Sequence, residues 1–352
     1  MAQYESKEQI LALGETDPQL AALLSQPGGD DVVAMMNSIH LSMVAHAEAA
    51  RQPLPGTKDT DHEYDIKIPM RGGFENPARI FKPDVPVPGR ATVVMIHGGG
   101  FTIGHPTHVG HYARGVAKLF GTTVISITHR LTPEFKFPIP SNDIWDSLEW
   151  IFSADDSTTA ALGGYNKASF IIGGVSAGGN LSAVTAQKWV SAKKTPNLVG
   201  IWLNIPWILE AEVLPEKYAH LWLAREQNTN SLVINGETLR VTKATYQPDF
   251  SSPDFSPFND ENAHKGLPPV YFQVCGQDPL RDDAIIYEKV LKDHGVSTKI
   301  DVYAGVPHGF ADLLPTFGLA QKFLADSMKG FAWLFGESAP SDAEIVKALT
   351  VA

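Results

Sequence analysis

Apolar positions along this chain follow two rhythms, a spacing near 3.6 residues and short continuous runs. The first 55 or so residues keep the helical spacing. Val32, Val33, Met35, Met36, Ile39, Leu41 and Val44 recur as on one helix face, and the pattern breaks at Pro53-Leu54-Pro55-Gly56. Two or three helices outside the main sheet are expected there. Beyond that break lie eight β-like runs, at 64–68, 78–81, 92–96, 123–128, 169–173, 199–203, 270–274 and 299–303. The later runs are apolar throughout instead of alternating, the pattern of strands covered on both faces. Helical patterns near 110–119, 142–153, 178–192, 282–294 and 318–335 fall between them, so strand and helix alternate from the third run onward. This order predicts an α/β fold with a mostly parallel, twisted sheet. One interval breaks the alternation. Residues 207–260 hold Trp207, Leu221, Trp222 and Leu223 and leave through DFSSPDFSPF, too long for a plain connection and usual for a lid or binding element.

Composition narrows the partners. At 352 residues, with 43% apolar and 19% charged, the chain has room for one large domain with an insertion or for two ordinary domains. Its 28 basic and 39 acidic side chains give −11, a field that repels nucleic acid and anionic membrane surfaces and favours neutral or cationic small molecules. No nucleic-acid partner is expected. The single cysteine, Cys275, excludes an intrachain disulfide and a metal site of paired thiolates. MAQYESKEQILALGETD has no basic segment leading into an apolar one, and no apolar run nears the ~20 residues that span a bilayer. A cytoplasmic protein without stable membrane insertion is the expectation, with a homodimer left open.

In an open parallel sheet, ligands bind at the carboxyl ends of the strands, so residues just after a run carry the most weight. GGVSAGGNLS follows the fifth run. Its small residues permit a sharp strand-to-helix turn that leaves the Ser176 hydroxyl projecting above the sheet. His97-Gly98-Gly99-Gly100-Phe101 follows the third run, and its glycines leave backbone N–H groups unshielded, as an oxyanion needs. Neither glycine stretch continues into the Lys-Ser/Thr of a P-loop, and the dinucleotide spacing is missing, so phosphate binding is set aside. A serine nucleophile needs a base oriented by a carboxylate. Asp278, in CGQDPL, and His308, in VPHGF, both land at strand ends, whereas His220, His264 and His294 fall in the insertion, a loop and a helix. Asp282 and Asp283 compete with Asp278 but lie inside the next helix. His105, His108 and His111 stand three apart; with no carboxylate or thiolate to complete a set, they read as a pocket rim or helix entry, and no metal is expected. Arg130 and Glu134 read as a structural ion pair.

HGGGF, GVSAGGN, QDPLRDD and PHGF, in that order, resemble the hormone-sensitive-lipase-like family of α/β-hydrolase serine esterases. HRLTPEFKFP at 129–138 is similar to that family's Tyr-Arg-Leu-Ala-Pro-Glu stretch, and the resemblance covers about residues 60–335. It implies an α/β-hydrolase fold, an eight-stranded sheet flanked by helices, with Ser176 as nucleophile, Asp278 and His308 as its partners, and an oxyanion hole from Gly99, Gly100 and Ala177. It also implies a cap made of the helices in 1–55 and the insertion 207–260, over a catalytic domain formed by 56–206 and 261–352. Phe101, Trp207 and Trp222 are then either walls of an acyl or alcohol pocket or core of the cap. Val175 stands where the family commonly has Asp, Glu or Thr, and His129 replaces the tyrosine; both are expected to tune loop packing and pocket shape. The implied activity is cofactor-independent hydrolysis of small to medium-chain carboxylic esters or lactones through an acyl-enzyme. The alternatives are a biosynthetic deacetylase, thioesterase or acyltransferase on the same residues, or a receptor, as gibberellin receptors resemble esterases without their activity. The retained His308 argues against the receptor.

Overall fold

The eight apolar runs form one sheet. A computed structural model describes residues 4–153 and 155–350. Its strands are β1 (Glu63–Pro69), β2 (Glu75–Phe81), β3 (Thr92–Ile96), β4 (Val124–Ile127), β5 (Ser169–Val175), β6 (Asn197–Asn204), β7 (Val270–Cys275) and β8 (Thr298–Tyr303). They lie in the order β1-β2-β4-β3-β5-β6-β7-β8. The β1–β2 and β2–β4 pairs are antiparallel and the remaining pairs parallel. β2 begins three residues ahead of its apolar run. Asn76 is fully buried there, its Nδ2 donating to Thr128 O at 2.7 Å and its Oδ1 without a partner among the described residues, a polar strand residue that no hydrophobic pattern reveals.

Helices α1 (Lys7–Ala12), α2 (Pro18–Leu24) and α3 (Gly29–Val44) precede the sheet. Around it come α4 (Gly110–Phe120), α5 (Ile139–Ile151), α6 (Asp156–Ala161), α7 (Ala177–Ser191), α8 (Ala224–Gln227), α9 (Gly236–Tyr246), α10 (Arg281–Asp293), α11 (Phe310–Leu313), α12 (Gly318–Leu334) and α13 (Asp342–Leu349). Both faces of the sheet are covered. Trp202 of β6 meets Tyr112 of α4 and Phe331 of α12 on one face. Gly173 pairs with Trp202 across β5 and β6, so Phe170, three residues earlier, points to the other face, where it meets Trp189 of α7. This two-sided cover is why the central strands carry no polar alternation. Among the described residues, no helix is long and apolar enough to cross a membrane.

Two segments lie outside this layered core. The first is the N-terminal one, where Ser6 forms a capping box with Gln9 on α1, and Asp17 accepts from the N–H groups of Gln19 and Leu20 to start α2. Between those helices, Leu13 O accepts from Gly305 N–H at 2.8 Å, Asp17 N–H donates to Gly305 O at 3.0 Å, and Gln277 Nε2 donates to Thr16 Oγ1 at 2.7 Å. The second is the insertion, which holds α8, α9 and short 3₁₀ turns. The carboxylates at the start of α10 tie it down. Asp282 accepts from Leu223 and Ala224 N–H at 2.6 Å each, and Asp283 from Ile208 and Leu209 N–H at 2.9 and 3.0 Å. α3 and α9 then meet, with His40 Nδ1 2.6 Å from Thr238 Oγ1.

The expected pair between Arg130 and Glu134 does not form. Arg130 grips Asp143 of α5 through both its backbone N–H and its guanidinium, and Glu134 turns outward to Arg51, 3.2 Å away. Asp143 is fully buried while Glu134 is half-exposed, so the guanidinium goes to the carboxylate with no water to solvate it.

Candidate active site

β5 ends at Val175 and α7 starts at Ala177, so Ser176 alone makes the turn between them. Its φ of 56° lies in the left-handed region, a strained place for a side-chain-bearing residue. The turn is clamped on both sides. Ser176 N–H donates to Asn204 O at 2.8 Å, and Ser176 O accepts from Asn180 N–H at 3.0 Å. Gly178 lets α7 start hard against the end of β3, since a Cβ there would stand 2.2 Å from Ile96 O and 2.4 Å from His97 O.

The loop after β3 arrives at the same point. A Cβ on Gly98 would be 3.3 Å from Ser176 Cβ, and Gly99 has φ of 118° with Ile103 O only 2.1 Å from where its Cβ would be. His97 anchors this loop, with Nδ1 2.7 Å from Gly98 O and Nε2 2.6 Å from Thr128 Oγ1. Complete burial, with His129 stacked at 5.1 Å, pushes the His97 pKa well below the ordinary histidine value. The ring behind the glycines is therefore neutral. Among the described residues, no oxygen accepts from the N–H groups of Gly99, Gly100 or Ala177, which leaves them as donors for a ligand.

Asp278 follows β7 and His308 follows β8. Their loops are tied by Gln277 N–H to Val306 O at 3.0 Å and Gly276 N–H to Tyr303 O at 2.7 Å. His308 Nδ1 lies 2.6 Å from Asp278 Oδ2, and His308 Nε2 lies 2.9 Å from Ser176 Oγ. The structure thus brings together the three side chains singled out at strand ends. Asp278 is 1% exposed and also accepts from Leu280 N–H at 2.7 Å, so its orientation is fixed. With Nδ1–H given to the carboxylate, Nε2 is the acceptor for the serine hydroxyl. A hydroxyl, an imidazole and a buried carboxylate in this relay, beside unpaired amides, can carry out acyl transfer.

Above Ser176 and His308 opens a cavity of about 450 Å³. The N-terminal segment contributes Ile39, Met43, Pro53 and Leu54 to its walls, the insertion contributes Val233 and Ile234, and Val175 and Ile205 line it beside the serine. Val175 thus presents an apolar wall where the family pattern has a polar side chain. His108 and His111 line the cavity as the rim reading expects, whereas His105 faces the 3₁₀ turn after it, its Nδ1 accepting from Thr107 N–H.

The structure corrects the pocket-wall alternative for Phe101, Trp207 and Trp222, none of which lines this cavity. Phe101, at φ of 60°, is fully buried and stacks on Tyr246 at 4.0 Å. Trp207 donates from Nε1 to Glu210 Oε1 at 2.9 Å and packs edge-on against Phe255. Trp222 is half-buried beneath the Arg225 guanidinium, 5.5 Å from its ring. Large aromatics bury the most area by joining the packing beneath the insertion, and aliphatic side chains are left to face the opening. One lining residue escaped the sequence reading. Asp312 sits four positions after His308, on the short helix α11, and no local motif marks it in the sequence.

Comparison with known proteins places this geometry. Residues 93–312 match the family model for the α/β-hydrolase fold. The chain is 33% identical to an AB hydrolase superfamily protein of Schizosaccharomyces pombe over 334 residues, 93% of this chain and 96% of that one. It is 34% identical to the versiconal hemiacetal acetate esterase of Dothistroma septosporum over 247 residues, 68% of this chain and 72% of the esterase. Among solved structures, vibralactone cyclase superposes with a TM-score of 0.75 at 26% identity, covering 92% of this chain and 96% of that one. An esterase of Pyrobaculum calidifontis does so at 0.67 and 27%, covering 91% and 98%. The chain belongs to the hormone-sensitive-lipase-like carboxylic ester hydrolases of the α/β-hydrolase fold.

Proposed function

We propose that this protein is a serine carboxylesterase that hydrolyses small to medium-chain carboxylic esters or lactones through an acyl-enzyme. The observation that carries the reading is the relay from Asp278 through His308 to Ser176, at 2.6 and 2.9 Å, at the base of a cavity. His308 Nε2 takes the hydroxyl proton as Ser176 Oγ attacks the ester carbonyl, and the amides of Gly99, Gly100 and Ala177 hold the oxyanion. The imidazolium, steadied by Asp278, returns that proton to the departing alcohol. A water activated by the same imidazole then attacks the acyl-enzyme, and Ser176 is released with the acid. The N-terminal segment 1–55 and the insertion 207–260 act as a cap over the catalytic domain of 56–206 and 261–352. Their share in the cavity wall supports this, and the cavity volume is that of a site for small molecules, not for a triglyceride.

The test is turnover of p-nitrophenyl acetate and butyrate by the wild type and by Ser176→Ala. Loss of rate on the order of 10³-fold or more is expected. Activity that survives the substitution overturns the mechanism. A second reading has its own support: the likenesses to the versiconal hemiacetal acetate esterase and to vibralactone cyclase favour a dedicated deacetylation or ring-closing step on the same residues. Two measurements separate the readings: ring closing or acyl transfer gives a lactone or ester in place of free acid in a panel of hydroxy acids and alcohol acceptors, and a dedicated deacetylase turns over acetate esters to the near exclusion of butyrate.

A further inference from the structure

The cavity contains polar side chains that ester hydrolysis does not use. Asp312 lines it four residues beyond His308, with His108 on the 3₁₀ turn and His111 on α4 also in its wall. Asp312 is held from behind. Its Oδ1 accepts from Tyr112 O–H at 3.1 Å, Tyr112 O in turn accepts from Asn204 Nδ2 at 3.4 Å, and His111 Nε2 stands 3.0 Å from the same Oδ1. Asp312 Oδ2 accepts no hydrogen bond among the described residues, and the side chain keeps 35% of its surface open. His108 is already committed, with Nε2 3.2 Å from Gln52 O. A carboxylate fixed through one oxygen and open at the other, in a cavity walled mainly by Ile, Leu, Val, Met and Pro with Gln52, His108 and His111 as the other polar side chains outside the relay, is an acceptor waiting for one donor.

We propose that Asp312 is a specificity-determining residue, receiving a hydroxyl group that the ester carries away from its scissile bond. The proposal rests on the serine esterase reading and narrows its substrate class to hydroxylated esters or lactones. A hydroxyl fits better than an ammonium group. The hydroxyl has one O–H to donate, and Asp312 Oδ2 accepts that hydrogen bond. An ammonium brings three donors and a full charge into walls that are mainly apolar, and it forfeits most of its hydration there. A plain alkyl chain reaching the same place strips water from Oδ2 and leaves that oxygen without a donor, which is how a hydrogen-bonding site rejects the analogue without the group.

The experiment uses the full chain and two ester series of about six to eight carbons, one with a terminal hydroxyl on the acyl chain and one with it on the alcohol chain. Each hydroxylated ester is compared with its unsubstituted and its ammonium-terminated counterparts. In the wild type, kcat/KM for the hydroxylated ester is expected to exceed the unsubstituted one by about tenfold or more in at least one series, the ratio a single charge-assisted hydrogen bond gives. In Asp312→Ala that ratio falls to about twofold or less, and in Tyr112→Phe, which keeps the carboxylate but removes its anchor, it lies between. Thermal melting confirms that each variant is folded, and if Asp312→Ala fails to fold, the ratio in Tyr112→Phe decides. A wild-type ratio near one in both series overturns the proposal while leaving the esterase reading intact, and so does a preference that survives Asp312→Ala. A wild type that favours the ammonium esters overturns the hydroxyl assignment. A wild type that turns over none of these esters, plain ones included, removes the esterase reading and the proposal with it.

Discussion

A nucleophile on a strained turn depends on neighbours small enough to let two backbones touch, and Gly178 is the sharpest case. An added Cβ would meet two carbonyl oxygens, Ile96 O and His97 O, neither at the end of a flexible side chain. Gly178→Ala must therefore push α7 off β3 or displace the glycine loop. We expect kcat/KM on p-nitrophenyl butyrate to fall on the order of 10²-fold, with Tm lower by several degrees. Kinetics unchanged in that variant would show that this close approach does not position Ser176. Asp278→Asn tests a different dependence, because the amide can present an N–H to Nδ1 and reverse the imidazole tautomer. A loss of kcat on the order of 10⁴-fold is expected with little change in KM, measured with the same ester. At this scale the legible residues were those with a local signature, a serine between glycines or a histidine followed by glycine at a strand end. Asp312 had none, since a lone aspartate in a short helix looks like any solvated residue until the fold turns it toward the cavity.

The stretch 4–17, at the head of the N-terminal segment, shows what a piece of chain can do for a site whose walls it does not line. It is bonded to the loops that bear the acid and the base: Gly305 exchanges hydrogen bonds with Leu13 and Asp17, and Gln277, next to Asp278, donates to Thr16. Gly276 lies so close that a Cβ on it would be 2.0 Å from Leu13 O. Removing residues 1–17 should therefore loosen the Asp278–His308 geometry more than the sheet. We expect kcat to fall about tenfold or more while far-ultraviolet circular dichroism stays close to that of the full chain; unchanged kcat would reduce the segment to a cover. The strands were legible because two-sided burial writes an unmistakable apolar run, as in Val93 to Ile96. What stayed hidden was decided by pairing across long stretches of chain. Asn76 belongs to β2 because it pairs with Ile68 of β1, Arg130 chose Asp143 over Glu134 by burial, and Trp207 and Trp222 went into packing. None of those choices has a sequence period.

Across the whole molecule, folding takes several imidazoles out of water. His97, His105, His108, His129 and His264 all have their pKa lowered, and burial is the leading cause for each. His105 and His264 are pushed down to about 4. In the unfolded chain these rings take up protons near pH ~6.5, so the unfolded state binds more protons than the folded state between that pH and about 4. Stability is fully present above pH ~6.5 and is lost as pH falls through the window toward the folded value. The Tm is therefore expected to drop steadily from pH 7 to pH 4, by roughly 2 °C for each kcal/mol lost in a chain of this size. His264 isolates one contribution. Its ring packs between Phe258, Tyr287 and His294 at 4.7, 5.6 and 5.0 Å, with Asp260 as the nearby acid, and its Nδ1 is buried without a hydrogen-bond partner among the described residues. His264→Phe keeps the aromatic packing, removes an unpaired polar atom and cannot be protonated. Its Tm at pH 8 should match or exceed that of the wild type, and its decline between pH 6.5 and 4 should be shallower. Parallel declines in the two proteins would mean that the charged ring is as well accommodated in the fold as in water, which the enclosure by Phe258 and Tyr287 speaks against.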